Sequence, residues 1–344
     1  MLSNHYKVVV ITPEIYSAAR LRQLGKTFDL DLSRIILETW DEALRQPFDI
    51  FFSMGNSIIP DVPALALKSF YLCQFPFPIG AGEALSRAHL LTGYQGWLAY
   101  SDYVKGHIEI AGERLGLPRK PVTVIFPPCP VPHGETIRPV DRTIILSVGR
   151  FFRSGHCKNH HLLVQAFRKL IEKEPHERLE LHIAGSVQPT PESLDYFHDV
   201  SRLAADVPVT LHPNADPHVL DTLYRQAHIY WHGTGMDKDR NANPEAMEHF
   251  GIAVVEAMAG GCVPMAFSAG GPAEIITDGS DGFLYLSKDD LVESTSVLLH
   301  DGQRMAAMAM KAKAKATKFS MAHFSGAIDG LTRRECYVNT CPLS

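Results

Sequence analysis

Short apolar runs alternate with amphipathic stretches along most of this chain. Strand-like runs fall at Lys7–Thr12, Ile50–Ser53, Phe70–Cys73, Val122–Phe126, Thr143–Val148, Leu179–Ala184, Val209–His212, Ile229–His232 and Val263–Phe267. Between them, Ser101–Leu115, Asn159–Lys173, Pro217–Gln226 and Ile252–Ala259 carry apolar residues at helical spacing. Short apolar strands separated by helices predict parallel sheets covered on both faces. The expected fold class is α/β, with two doubly wound parallel sheets. A proline-dense stretch divides the pattern: Phe126 to Gly134 holds four prolines in nine residues, which ends regular structure. The boundary is expected near residue 135, giving a first domain over 1–135 and a second over 136–334. Residues 335–344 carry no helical pattern and read as a loose tail.

Composition narrows the function classes. A chain of 344 residues suits two domains of ordinary size. The net charge of −5 argues against a nucleic-acid partner, whose binder is usually basic. No apolar run approaches the ~18 residues that span a bilayer, and Met1 to Lys7 has no export-signal pattern. The six cysteines (Cys73, Cys129, Cys157, Cys262, Cys336, Cys341) form no C-x-x-C pair. That pattern fits reduced thiols in a cytoplasmic protein better than disulfides or a zinc site.

Candidate chemistry concentrates at Glu248 and Glu256, with seven residues between them. They lie about two helical turns apart, the first before a glycine turn and the second inside a helix. The amides of Phe250, Gly251, Ile252 and Ala253 then point out of a helix N-terminus, which favours phosphate. Carboxylates beside a bound phosphate have sugar hydroxyls as natural partners. The plain alternative is two surface carboxylates on an amphipathic helix.

This stretch resembles the E-x7-E signature of retaining glycosyltransferases of family 4, which have the GT-B fold. The likeness continues through Gly270-Gly271-Pro272-Ala273-Glu274-Ile275-Ile276 and Asp281-Gly282-Phe283-Leu284. It begins at Leu146-Ser147-Val148-Gly149-Arg150, Lys158-Asn159-His160 and His182-Ile183-Ala184-Gly185, so it covers roughly Thr143 to Tyr285 in the family's order. The resemblance implies two Rossmann-like lobes facing a cleft. It implies no cofactor, a nucleotide diphosphate sugar as donor, and a glycan or lipid-linked acceptor. By the same resemblance Glu248 holds the donor sugar hydroxyls, Glu256 the ribose, and Lys158 with Arg153 or Arg150 the diphosphate. The loop around Arg153 is longer than in many relatives, which leaves the choice between the two arginines open. Gly149 becomes a donor contact, as do Gly270 and Gly271, with a plain strand-to-helix turn as the alternative, and His232, with a turn as the alternative. The Glu-His-Phe-Gly-Ile run is similar to that of mannosyltransferases using GDP-mannose.

Other features point elsewhere or nowhere. Asp29-Leu30-Asp31 and Asp237-Lys238-Asp239 are D-x-D patterns, but neither follows the strand a metal site of that kind requires, and no metal is expected. Lys311, Lys315 and Lys318 share a helical face that would suit weak contact with the inner face of a membrane, or simply solvent. The first lobe departs from the family. Its first strand is followed by Pro13-Glu14 without a glycine pair, and it resembles a lobe lacking its first strand–loop–helix unit. Gln74 stands where relatives often have His, and Gln cannot act as a base. Gln74 and the Ile79-Gly80-Ala81-Gly82 loop are the expected acceptor side. Rival readings are a donor-binding remnant without turnover, an epimerase or phosphorylase of the same fold, and a two-lobed solute-binding protein.

Overall fold

The computed structural model describes residues 6–12, 17–28, 30–132 and 134–332. The expected tail at 335–344, Pro13-Glu14 and Asp29 lie outside them. Strands are β1 Val9–Thr12, β2 Ile36–Thr39, β3 Ile50–Gly55, β4 Lys68–Cys73, β5 Tyr94–Ala99, β6 Val122–Val124, β7 Thr143–Val148, β8 Leu179–Gly185, β9 Val209–Pro213, β10 Ile229–His232, β11 Val263–Phe267 and β12 Phe283–Tyr285. Helices are α1 Ala18–Phe28, α2 Trp40–Ala43, α3 Ala81–Arg87, α4 Asp102–Arg114, α5 His160–Lys173, α6 Pro191–Ala204, α7 Pro217–Gln226, α8 Ile252–Ala259, α9 Gly271–Ile275, α10 Lys288–Leu299, α11 Gly302–Ala316 and α12 Met321–Thr332.

Among the described residues every strand pair is parallel, as the apolar runs predicted. The second lobe is a six-stranded sheet in the order β12-β11-β10-β7-β8-β9. Strand alternation sends its side chains to two separate cores. Ile145, Leu181, Ile183, Ile229, Trp231, Val263 and Met265 pack under α5, α6 and α10. Ile144, Leu146, Ala184, Tyr230 and Ala266 pack under α7, α8 and α11. Helices on both faces and a reversal of strand order at β7 make this lobe doubly wound.

The first lobe has the sequential order β3-β4-β5-β6, with β1-β2 as a separate pair. A cavity of 890 Å³ lies between β1 and β3, lined by Val8–Thr12 on one side and Ile50–Met54 on the other. One face of the four-stranded sheet packs Phe51, Tyr71, Cys73, Trp97 and Ala99 against Val104, Ile108 and Ala111 of α4. Its other face, with Phe52, Phe70, Leu72 and Leu98, is covered by Phe324, Ile328 and Leu331 of α12. Those three are spaced as one helical stripe. A division near residue 135 counts α12 with the second lobe, yet its apolar face serves the first.

Strands β2, β5 and β12 escaped the sequence reading for physical reasons. β12 is three residues long. β2 runs straight into the capping box of Thr39 and Glu42 that starts α2. β5 contains Gly96, where a Cβ would lie 2.5 Å from the Pro121 carbonyl oxygen, so only glycine lets β6 lie alongside. Among the described residues no helix is long and apolar enough to cross a membrane.

Because Ile328 is buried against the first-lobe sheet, truncation to Ile328→Ala should cost about 2–4 kcal/mol of stability. Denaturant unfolding followed by hydrogen exchange should place that loss in β3–β6 rather than in β7–β12. An unchanged first-lobe transition would mean that α12 is not part of that lobe's core.

Candidate functional site

Reversal of strand order opens a crevice at the carboxyl ends of the two strands that flank it, here β7 and β10. Two loops leave those ends, residues 149–159 and 233–246. Asn159 fastens one to the other: its side-chain amide donates to the carbonyls of Gly233 (2.9 Å) and Met236 (3.3 Å). It does so from a left-handed backbone, φ 51°, just before α5. Asparagine tolerates that conformation better than most side chains. Lys158 is thereby set at the mouth of β7. A Cβ on Gly149 would lie 2.4 Å from its Cγ, so the glycine is what lets the lysine cross the strand end.

Lys158 meets Glu248 there. The ammonium contacts the carboxylate at Oε2, and His232 Nε2 lies 3.0 Å from the same oxygen. Thr234 Oγ1 donates at 3.4 Å. Only 16% of the Lys158 side chain and 14% of Glu248 are exposed. Burial opposes the charge on Glu248, but the Lys158 ammonium and the His232 hydrogen bond together hold its carboxyl well below the usual range. Burial also lowers the His232 pKa, Glu248 working against it, so this ring reads as a neutral hydrogen-bond partner.

Glu256 lies two turns away on α8. Tyr224 Oη donates to its Oε2 at 2.8 Å. Burial raises the Glu256 pKa, and the Tyr224 bond only partly offsets it. The helix between the carboxylates starts at Gly251, whose φ of 107° excludes most side chains. Its first amides are those a helix leaves without internal partners. The side chain of Phe250 is buried among Phe126 and Phe319, so this residue offers the crevice its backbone.

Gly270 and Gly271 approach backbone closely, but the backbone is the chain's own. A Cβ on Gly270 would lie 2.1 Å from the Glu248 carbonyl oxygen, and one on Gly271 2.2 Å from that of Phe250. Gly271 N–H also donates to the Glu248 carbonyl at 2.8 Å. Their place in the sequence is thus explained by seating the Glu248–Phe250 segment.

The remaining predicted residues divide. Arg153 does not join Glu248: it pairs with Asp199 and lies over the Tyr196 ring at 5.1 Å. It lines a 480 Å³ cavity with Cys157, His161, Asp237 and Glu245. Arg150 is exposed and lies over Phe152 at 4.7 Å. Its charge acts on His156 together with those of Glu248 and Lys158. Gln74 follows β4, half-buried beside Phe75. Gly80 precedes α3, and a Cβ there would meet nothing within 4 Å, so no tight approach requires glycine. Asp239 accepts from the amides of Asn241 and Ala242, holding a turn. Lys315, expected on a basic face, is engaged with Asp281 at 2.9 Å and Thr277 at 2.6 Å. Sequence reasoning missed the neighbours of this site that come from distant segments. His249 stacks on Phe75 at 4.0 Å and meets His156 at 2.9 Å between ring nitrogens. Nothing in the local pattern of either residue announces the other.

Comparison with known proteins adds the following. The D-inositol 3-phosphate glycosyltransferase of Nocardia farcinica is 30% identical over 186 residues, 52% of this chain and 38% of that protein. The human GDP-Man:Man(3)GlcNAc(2)-PP-Dol alpha-1,2-mannosyltransferase is 27% identical over 224 residues, 58% of this chain and 41% of that protein. The matches thus span about two fifths of these curated relatives. The crystal structure of Anabaena HepE in complex with UDP and glucose superposes with a TM-score of 0.66, at 16% identity, covering 96% of this chain and 93% of that one. A glycosyltransferase from Rickettsia africae superposes at 0.61, at 17% identity, covering 91% and 79%. Both share the two-lobed fold. The model for glycosyl transferases group 1 matches residues 133–315, more than half of the sequence, and the chain belongs to that family.

Proposed function

We propose that this protein is a retaining glycosyltransferase that moves a hexose from a nucleotide diphosphate sugar to an acceptor hydroxyl. The observation that carries this reading is the buried Glu248–Lys158–His232 cluster at the β7/β10 crevice, two turns before Glu256 and flanking the α8 N-terminus. Lys158 and the first amides of α8 suit a diphosphate, whose leaving charge they would stabilise. Glu256 suits the ribose and Glu248 the sugar hydroxyls. Arg150 is the better second cation, because it shares the electrostatic neighbourhood of Glu248 while Arg153 is occupied by Asp199. In same-face substitution the leaving phosphate helps take the acceptor proton, so Gln74 in place of a base is compatible with turnover.

Mannose from GDP-mannose is the donor we favour. Support comes from the Glu248-His249-Phe250-Gly251-Ile252 run and from mannosyltransferases among the relatives. A second reading, donor binding without transfer, draws on the division of the first lobe into two sheets across the β1/β3 cavity.

Calorimetry with GDP-mannose, UDP-glucose, GDP and UDP tests the reading. Binding of a nucleotide is expected, with Glu256→Ala weakening it by about tenfold, the size of one lost charged hydrogen bond. If none of the four binds, the reading fails. Acid should also weaken binding. The raised pKa of Glu256 means that the ionised acceptor is lost at a higher pH than for an ordinary glutamate, while Glu248 stays ionised well below the usual range. Affinity should therefore drop on mild acidification, and Glu256→Gln should abolish that drop.

Lys158→Ala leaves a carboxylate buried without its ammonium and should cost about 3–5 kcal/mol. Adding Glu248→Gln should restore part of the loss in chemical denaturation. Equal stability of the single and double variants would refute the pairing.

A further inference from the structure

We propose that Glu274 is an interlobe positioning residue, which caps helix α4 of the first lobe and indexes that lobe to the Glu248 segment. Helix α4 brings its own cap: Ser101 Oγ accepts from Val104 N–H at 3.2 Å. That leaves the amides of Asp102 and Tyr103 without a partner from their own lobe, at the positive end of a thirteen-residue helix. Glu274, on α9 of the second lobe, takes both. Its Oε2 accepts from Asp102 N–H at 3.0 Å and its Oε1 from Tyr103 N–H. A carboxylate divided between two helix-terminal amides makes two charge-assisted bonds that fix direction as well as distance.

Three further contacts converge on the same region. Ser101 Oγ, while capping α4, donates to the His249 carbonyl at 2.6 Å. Tyr103 Oη donates to the Pro244 carbonyl at 2.7 Å. The Phe75 ring lies flat on His249, 4.0 Å between centroids with 6° between planes. The first lobe therefore grips His249, next to Glu248, and Pro244, four residues before it, and Glu274 is the charged member of the grip.

Glu274 is also tied to Glu248 from within the second lobe. Gly270 and Gly271, four and three residues earlier, lie against the backbone of Glu248 and Phe250 so closely that no Cβ fits. The position of Glu274 follows that of Glu248 through this contact. The position of α4 follows Glu274 through its two amides. Glu274 remains exposed at its edge, which suits a contact made and broken as the lobes close and open. The consequence for transfer rests on the donor-site reading above; the contact itself does not.

The test uses Glu274→Ala and Glu274→Gln in the 344-residue protein. Small-angle scattering without ligand should give a larger radius of gyration for the alanine variant, with the glutamine variant between it and the parent. The amides of Asp102 and Tyr103 should exchange about tenfold faster in the alanine variant, with β7–β12 unchanged. Nucleotide binding, measured with GDP and UDP, should persist in both variants. Unchanged scattering and exchange in a natively folded alanine variant would overturn the proposal. If the alanine variant loses its native circular dichroism, the glutamine variant decides, since faster exchange confined to Asp102 and Tyr103 supports the role and unchanged exchange overturns it. Neither structural readout needs a nucleotide, so failure of the donor-site reading would show as absent binding in the parent protein with the scattering difference intact.

Discussion

A carboxylate buried at the reversal point of a parallel sheet needs compensation, and the centre of this molecule is arranged around that need. Glu248 has lost most of its water, and the less screened attraction of a partner charge repays that loss only when the geometry is close and the remaining lone pairs are hydrogen-bonded. Lys158 supplies the charge and His232 and Thr234 the hydrogen bonds. These partners come from the last residue of β10 and from the loops that follow the neighbouring strands β7 and β10. The sheet order that brings those strands together is therefore a condition for the site, and the loops beyond them are drawn tight by Asn159.

The glycines serve the same end. Gly149 makes room for the Lys158 stem, and Gly270 with Gly271 lets a second loop lie against the Glu248–Phe250 backbone. Their common property is the missing side chain at a point of close approach. With that packing in place the two carboxylates acquire opposite electrostatic characters. Glu248, beside a cation, is held firmly ionised. Glu256, buried with a phenol for company, is pushed toward protonation. One motif thus presents two chemically different carboxylates, and the difference lies in what each one faces.

The lobes depend on each other in two directions. Helix α12 carries the last described residues back to cover the first-lobe sheet. Helix α4 reaches the other way and places its N-terminus against Glu274 and the carbonyl of His249. A two-lobed protein joined only by its linker would leave the cleft width to chance. Here the chain crosses back, and backbone groups at the cleft edge set the spacing.

Much of this was legible in the sequence, because it depends on local pattern. The apolar runs at Thr143–Val148, Ile229–His232 and Val263–Phe267 are strands with those bounds, and Pro217–Gln226 and Ile252–Ala259 are helices with theirs. Glu248, Glu256 and Lys158 could be picked out since their types and spacing recur in the family. What the sequence could not give was pairing across distance. Arg153 and Arg150 are three residues apart and chemically identical, and only the packing of α6 assigns the first to Asp199. Glu274 stood in a recognised motif without a role, because the amides it caps lie about 170 residues earlier in the chain. Sequence determined which segments become strands and helices, through periodicity and turn chemistry that act over a few residues. Tertiary structure decided which charges neutralise each other and which face the cleft, because electrostatic and hydrogen-bond partners are chosen by proximity in space.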